Sequence, residues 1–163
     1  MPTLFEVMED DDFVAELRQS NEHLINYLTT ERMYEMMRVV IEEPKFNDSP
    51  SRCFKLPFIA TQAFCVDSPH MVETFIDDPE KRLLGALFSF ILVPEEVQLN
   101  STLCGYFNKI LSFWLLKKPL QVTEYLYNNM AIISSLIDHV YLNSSMNDIV
   151  IRICCVQGMT DDG

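Results

Sequence analysis

Glycine is scarce in this chain: four in 163 residues, Gly85, Gly105, Gly158 and Gly163, two of them in the last six positions. Tight hairpins, phosphate-cradling loops and dinucleotide fingerprints all need glycine where the backbone turns sharply or approaches a ligand. All-β folds and those nucleotide sites are therefore excluded. Positive charge is also in short supply, with 12 Lys and Arg against 24 Asp and Glu, a formal net charge of −12. Residues 1–50 hold twelve acids and four bases, so −8 of that charge lies there. No basic stripe exists to neutralise phosphates, which excludes nucleic-acid binding driven by counterion release.

The five cysteines, Cys53, Cys65, Cys104, Cys154 and Cys155, form an odd set with no Cys-x-x-Cys pair. That usage fits a reducing compartment, and the acids Glu6 and Glu9 to Asp12 stand where a leader would carry positive charge. The cytoplasm is the expected location, with the nucleus as a further compartment. The longest apolar run, Leu83 to Val93, has eleven residues. A membrane span needs about 20, so this run is expected to be a buried helix and no membrane partner is expected.

What is abundant is apolar side chain, 48% of residues, arranged with helical period. Apolar residues recur at i, i+3, i+4, i+7 and i+8, the stripe of a helix lying on a core. The template fits Met33, Met36, Met37, Val40 and Ile41, then Leu84, Leu87, Phe88, Ile91 and Leu92. It fits again at Leu103, Tyr106, Phe107, Ile110 and Leu111, running on to Trp114 and Leu115. The last two sets are Ile133, Leu136, Ile137, Val140 and Tyr141, and Met146, Ile149, Val150, Ile153 and Cys154. Alternation of period two is nowhere sustained.

Punctuation agrees. Ser49-Pro50, Ser68-Pro69 and Asp78-Pro79 each put a capping residue before a proline suited to the first helical turn. Pro44, Pro94 and Pro119 end apolar stretches. Helices are expected at 12–28 with a break near Ser20, and at 30–43, 54–66, 69–76, 79–92, 100–116, 120–127, 130–141 and 144–156. Nine short helices joined by short turns predict an all-α fold of antiparallel helices stacked as a HEAT/armadillo-like α-solenoid segment. Pro79 and Pro119 stand about 40 residues apart, near the period of such units. A globular helical bundle is the alternative. The expected organisation is an acidic segment over 1–11, a helical repeat domain over 12–156 and a short polar tail over 157–163.

Catalytic chemistry finds little support. His23, His70 and His139 lie in no metal-ligand spacing, and each cysteine sits in an apolar helical pattern where a small buried hydrophobe is the ordinary role. Glu9 to Asp12 lack the turn glycine of a calcium loop and read as negative charge at a helix start. Tyr106, Phe107, Phe113 and Trp114 read as core. No catalytic residue, metal ligand or cofactor is expected. Lys109, Lys117 and Lys118 form the densest cluster of cations in the chain and are the candidate partner-contact residues.

Ordered blocks carry a resemblance. Gln19 to Leu28, Met33 to Pro44 ending Ile41-Glu42-Glu43-Pro44, Lys55-Leu56-Pro57-Phe58-Ile59-Ala60, Leu83-Leu84 with Leu87-Phe88-Ser89-Phe90-Ile91, and Gly105-Tyr106-Phe107-Asn108-Lys109 resemble successive blocks of the SAPS domain. Met146 to Ile153, with its single Arg152, is similar to a late helix of the same domain. The chain departs from the pattern at Thr61-Gln62-Ala63-Phe64-Cys65, where the family usually places Ala-Cys and an acid, and it is shorter than the family domain. The resemblance implies a helical, non-catalytic regulatory scaffold that binds a serine/threonine protein phosphatase catalytic subunit of the phosphatase six class. A helical-repeat adaptor for other protein partners is the alternative.

Overall fold

In the computed structural model of the chain, residues 1–140 and 144–160 are described, with side chains through 155. Helices take up 72% of the described residues, and no strand occurs among them. The all-α expectation is borne out. The chain divides into two compact units, Met1–Leu87 and residues from Phe88 onward.

The first unit opens earlier than its acids suggest. Thr3 and Glu6 close a capping box: the Thr3 hydroxyl accepts the Glu6 N–H at 3.3 Å and the Glu6 carboxylate accepts the Thr3 N–H at 2.7 Å, which satisfies two orphan donors of α1, Leu4–Met8. Helices α2, Phe13–Arg18, and α3, Glu22–Tyr27, are separated at Ser20, whose φ of 57° lies in the left-handed region. The expected break is there. Helix α4, Thr30–Ile41, buries Met33, Met36, Met37 and Val40 from its predicted stripe, and Thr29 caps it.

Helix α5, Leu56–Phe64, is the centre of this unit and packs against α1, α2 and α4. Ala60 and Ala63 are fully buried, and such small side chains let neighbouring helices approach closely. Buried Thr61 donates its hydroxyl to the Pro57 carbonyl at 2.8 Å, so the one polar group on the inner face is satisfied. A π-helical turn, Ser51–Lys55, runs directly into α5. A second, Val72–Ile76, continues α6, Pro69–Met71, which Ser68 caps.

Helix α7, Arg82–Ser89, begins three residues later than its proline predicts. Lys81 turns left-handed at φ 52°, and the Asp78 carboxylate accepts the N–H groups of Glu80 and Arg82. Burial raises the Asp78 carboxyl, but those bonds and the Arg82 guanidinium 3.1 Å away outweigh it and hold the group below its ordinary value.

The second unit is built on α8, Ser101–Lys117, which Asn100 caps and which packs against α9, Pro119–Tyr127, and α11, Ser144–Thr160. Leu103, Phe107, Ile110, Leu111, Trp114 and Leu115 are all buried. Phe88 meets Phe107 edge-on at 5.9 Å and stacks on Tyr125 at 5.6 Å. Phe113 and Trp114 meet edge-on at 5.1 Å.

Two expectations are corrected here. Helix α10, Met130–His139, turns Ile132, Leu136 and His139 inward, while Ile137 faces solvent and Ile133 and Val140 are half-buried. The residue responsible is His139, whose Nε2 lies 3.4 Å from the Val93 carbonyl: a histidine counted as polar occupies the core face and rotates the stripe. In α11 the buried set is Met146, Ile149 and Ile153, with Cys154 exposed, and the helix reaches Thr160 rather than Val156. Tyr141 lies outside the described residues. Consecutive helices pack as α1–α2, α2–α3 and α4–α5 in the first unit and as α8–α9, α9–α10 and α10–α11 in the second, as expected of an α-solenoid segment.

Trp114 is fully buried. Trp114→Ala is expected to cost about 3–5 kcal/mol, read from denaturant unfolding, and the native emission of this single tryptophan is expected to be blue-shifted. An exposed-type spectrum, or a loss under about 1 kcal/mol, contradicts the packing described.

Candidate functional site

The chemistry that catalysis requires does not converge. His23 is exposed, His70 half-buried and His139 buried, and no three metal-binding side chains gather among the described residues. Cys104 is buried, and burial pushes its thiol up to about 11. A thiol so far from ionising at neutral pH is a weak nucleophile. No disulfide joins the cysteines. A hollow of about 370 Å³ in the first unit is lined by His70, Glu73, Asp77 and Asp78, but the Asp78 carboxylate is held by Arg82.

The candidate lysines all lie on or just beyond α8. Because the apolar stripe of this helix faces inward, Lys109 and Lys117 fall on its outer side and are exposed. They are eight residues apart, about 12 Å along the axis and roughly 80° around it. Lys118 is half-buried at the joint to α9, where its N–H donates to the Trp114 carbonyl at 2.7 Å and its carbonyl accepts the Val122 N–H at 3.2 Å. Lys117 also sits in the last turn of α8, where a cation complements the negative end of the helix dipole. The structure therefore brings Lys117 and Lys118 together at a corner and leaves Lys109 two turns back.

That corner carries something the sequence reading passed over. Leu116 and Leu120, on either side of Lys117-Lys118-Pro119, are 78% and 64% exposed, and Tyr127 at the far end of α9 is 74% exposed. Pro119 has no amide hydrogen to continue α8 and starts α9 instead, so the two leucines flank a turn. The signal was available: Leu116 falls off the stripe formed by Leu103, Phe107, Ile110, Leu111, Trp114 and Leu115. Apolar side chains beside cations, exposed at the end of a firmly packed helix, can bind the surface of another protein.

Helix α8 is tied to α11 behind this face. The Asp148 carboxylate accepts from the Asn108 amide at 3.3 Å and from the Arg152 guanidinium at 3.3 Å. The Asn108 bond first and the Arg152 bond second hold Asp148 below its ordinary value.

An all-α stack of short helices is the class that the described residues define. The chain is 27% identical over 156 residues to serine/threonine-protein phosphatase 6 regulatory subunit 3 of Gallus gallus, and 26% identical over 156 residues to regulatory subunit 2 of Mus musculus and of Homo sapiens. Each comparison covers 95% of this chain, but only 17% of the first relative and 16% of the other two. The chain thus spans about one sixth of the length of the curated relatives it matches. No family model and no solved structure matches it. The SAPS-family resemblance read from the sequence is borne out by these relatives, which are named as regulatory subunits of a phosphatase.

Thiol labelling checks the chemistry of the cysteines. Exposed Cys154 and Cys155 are expected to alkylate rapidly at neutral pH, while Cys104 reacts only on unfolding. Fast native labelling of Cys104 overturns its assignment as an inert core residue.

Proposed function

We propose that the chain is part of a non-catalytic regulatory subunit that binds a serine/threonine protein phosphatase catalytic subunit of the phosphatase six class and modulates its activity or targeting. The observation that carries this reading is the likeness to named phosphatase 6 regulatory subunits along 95% of the chain. The helical framework supports it, since stacked helices expose long faces suited to protein partners.

The contact is assigned to the outer side of α8 and its corner: Lys109, Lys117 and Lys118 as cations, with Leu116 and Leu120 as apolar anchors. Apolar anchors that lose water supply most of the affinity at such a surface. Lysines at the rim raise the association rate and make it salt-dependent, and here they offer local positive charge on a chain of net charge −12. The same acidity supports a protein partner over nucleic acid. No helix among the described residues is long and apolar enough to cross a membrane. Five cysteines without a disulfide support a reducing compartment, the cytoplasm, as its location.

The test is co-purification of the phosphatase catalytic subunit from cells by the tagged chain and by its Lys109→Glu, Lys117→Glu, Lys118→Glu variant, at low and moderate salt. The unmodified chain is expected to capture the catalytic subunit, more weakly at moderate salt, and the variant to lose about tenfold or more while keeping its helical spectrum and melting point. Equal capture by both places the interface elsewhere. Capture of a different protein in place of the phosphatase makes the chain an adaptor and overturns the functional reading.

A further inference from the structure

The stretch between α4 and α5 departs from its surroundings in charge. Residues 44–58 hold Lys45, Arg52 and Lys55 against Asp48 alone, a balance of three minus one, or +2, in a chain of −12. Within it stands Ser49-Pro50-Ser51-Arg52. Ser49 is exposed, followed by the exposed Pro50 and, three residues on, by Arg52.

The local geometry separates the two serines. Ser51 is half-buried and donates its hydroxyl to the Glu9 carboxylate. Ser49 only accepts, taking the Arg52 N–H on its Oγ at 3.2 Å, while its carbonyl accepts the Cys53 N–H at 3.0 Å. Ser49 therefore caps the helical run that begins at Pro50, and Arg52 occupies the third helical position. In α1 that position holds Glu6, which reaches back to close a capping box. Here it holds a cation, the wrong sign for a helix start. Arg32 stands in the same relation to Thr29, but its guanidinium donates to the Tyr27 carbonyl at 2.6 Å and lies over the Tyr27 ring. Arg52 differs: its Nη1 is shielded from solvent and has no hydrogen-bond partner among the described residues. A guanidinium N–H left in this way costs stability unless an acceptor arrives.

We propose that Ser49 is a phosphorylation site for a protein kinase that reads proline directly after the acceptor and a basic residue three places on, and that Arg52 clamps the resulting phosphate. Helix ends open readily, and the first turn here leads into a π-helical turn rather than a regular α-helix, so the acceptor can be presented to the enzyme. In the transfer, Ser49 Oγ forms a bond to the γ-phosphorus of ATP as the bond from that phosphorus to the β–γ bridging oxygen breaks. ADP leaves with the electron pair, and the hydroxyl proton passes to the base of the kinase. The product carries about −1.5 to −2 of charge. It sits favourably at the helix start, brings acceptor oxygens within one helical turn of the Arg52 side chain, and offsets the +2 of residues 44–58, a stretch that also exposes Phe46 and Phe54.

Two measurements on the full chain test this. Incubation with MgATP and a proline-directed kinase that reads a basic residue at that distance, with a peptide of residues 45–55 as substrate control, is expected to add one phosphate. Fragment mass spectra are expected to place it on Ser49, and Ser49→Ala or Pro50→Ala to abolish it. Modification of Ser51 instead, of the peptide but not the chain, or of neither overturns the site. Phosphoserine installed directly at position 49 during synthesis separates the clamp from kinase recognition. It is expected to raise the melting temperature by about 2–4 °C in the chain with Arg52 and by less than half as much in Arg52→Gln. Equal shifts in the two backgrounds, or no shift, overturn the clamp.

Discussion

Burial of one face of α8 is the constraint on which the second unit depends. Seven apolar side chains, with fully buried Trp114 and Cys104 among them, face inward along this 17-residue helix, and α9 and α11 pack on it. Removing apolar area from water contributes roughly 25 cal/mol per Å², so a continuous stripe of this length outweighs any surface contact the unit makes. A helix held on one side can offer only its other side to a partner. The positions of Lys109 and Lys117 follow from the packing of residues they do not touch in sequence, and the corner at Lys118 follows from Pro119.

The same division of labour runs through the chain. Charges are spent at helix ends and on exposed faces: the Thr3–Glu6 box, the Arg38–Glu42 pair at 2.8 Å, Asp78 at the start of α7, and Asp148 between Asn108 and Arg152. Pairs at the surface, screened by solvent, add little to stability. They organise ends and entries, and the cores hold the fold. Nothing in the described residues resembles a reaction centre, and burial keeps the Cys104 thiol from ionising at neutral pH. Surface recognition is the function proposed for this scaffold, and its relatives are named as regulatory subunits.

Much of this was legible in the sequence because helices that bury one face must repeat their apolar residues with helical period. The stripes of α4 and α8, the break at Ser20, and the caps at Ser49 and Ser68 are all where spacing and capping residues put them. The misses have particular causes. The face of α10 was rotated because His139, read as polar, found a carbonyl at Val93 and took a core position. The start of α7 moved because Lys81 tolerates a left-handed backbone that residue type alone does not announce. The π-helical turns leave no mark in an apolar pattern. The lysines were visible as charge and Leu116 as a leucine off the stripe of α8, but the exposure of Leu120 was not, since exposure depends on what packs against a helix end.

Hydrogen exchange of the chain, alone and with purified phosphatase catalytic subunit, addresses the central claim most directly, because it reads the contact without altering the surface. Slower exchange of backbone amides in 116–127 on addition of the catalytic subunit, with the interior of α8 already protected in both states, is the result this account predicts. No protection anywhere in the chain, or protection confined to residues 1–87, contradicts it.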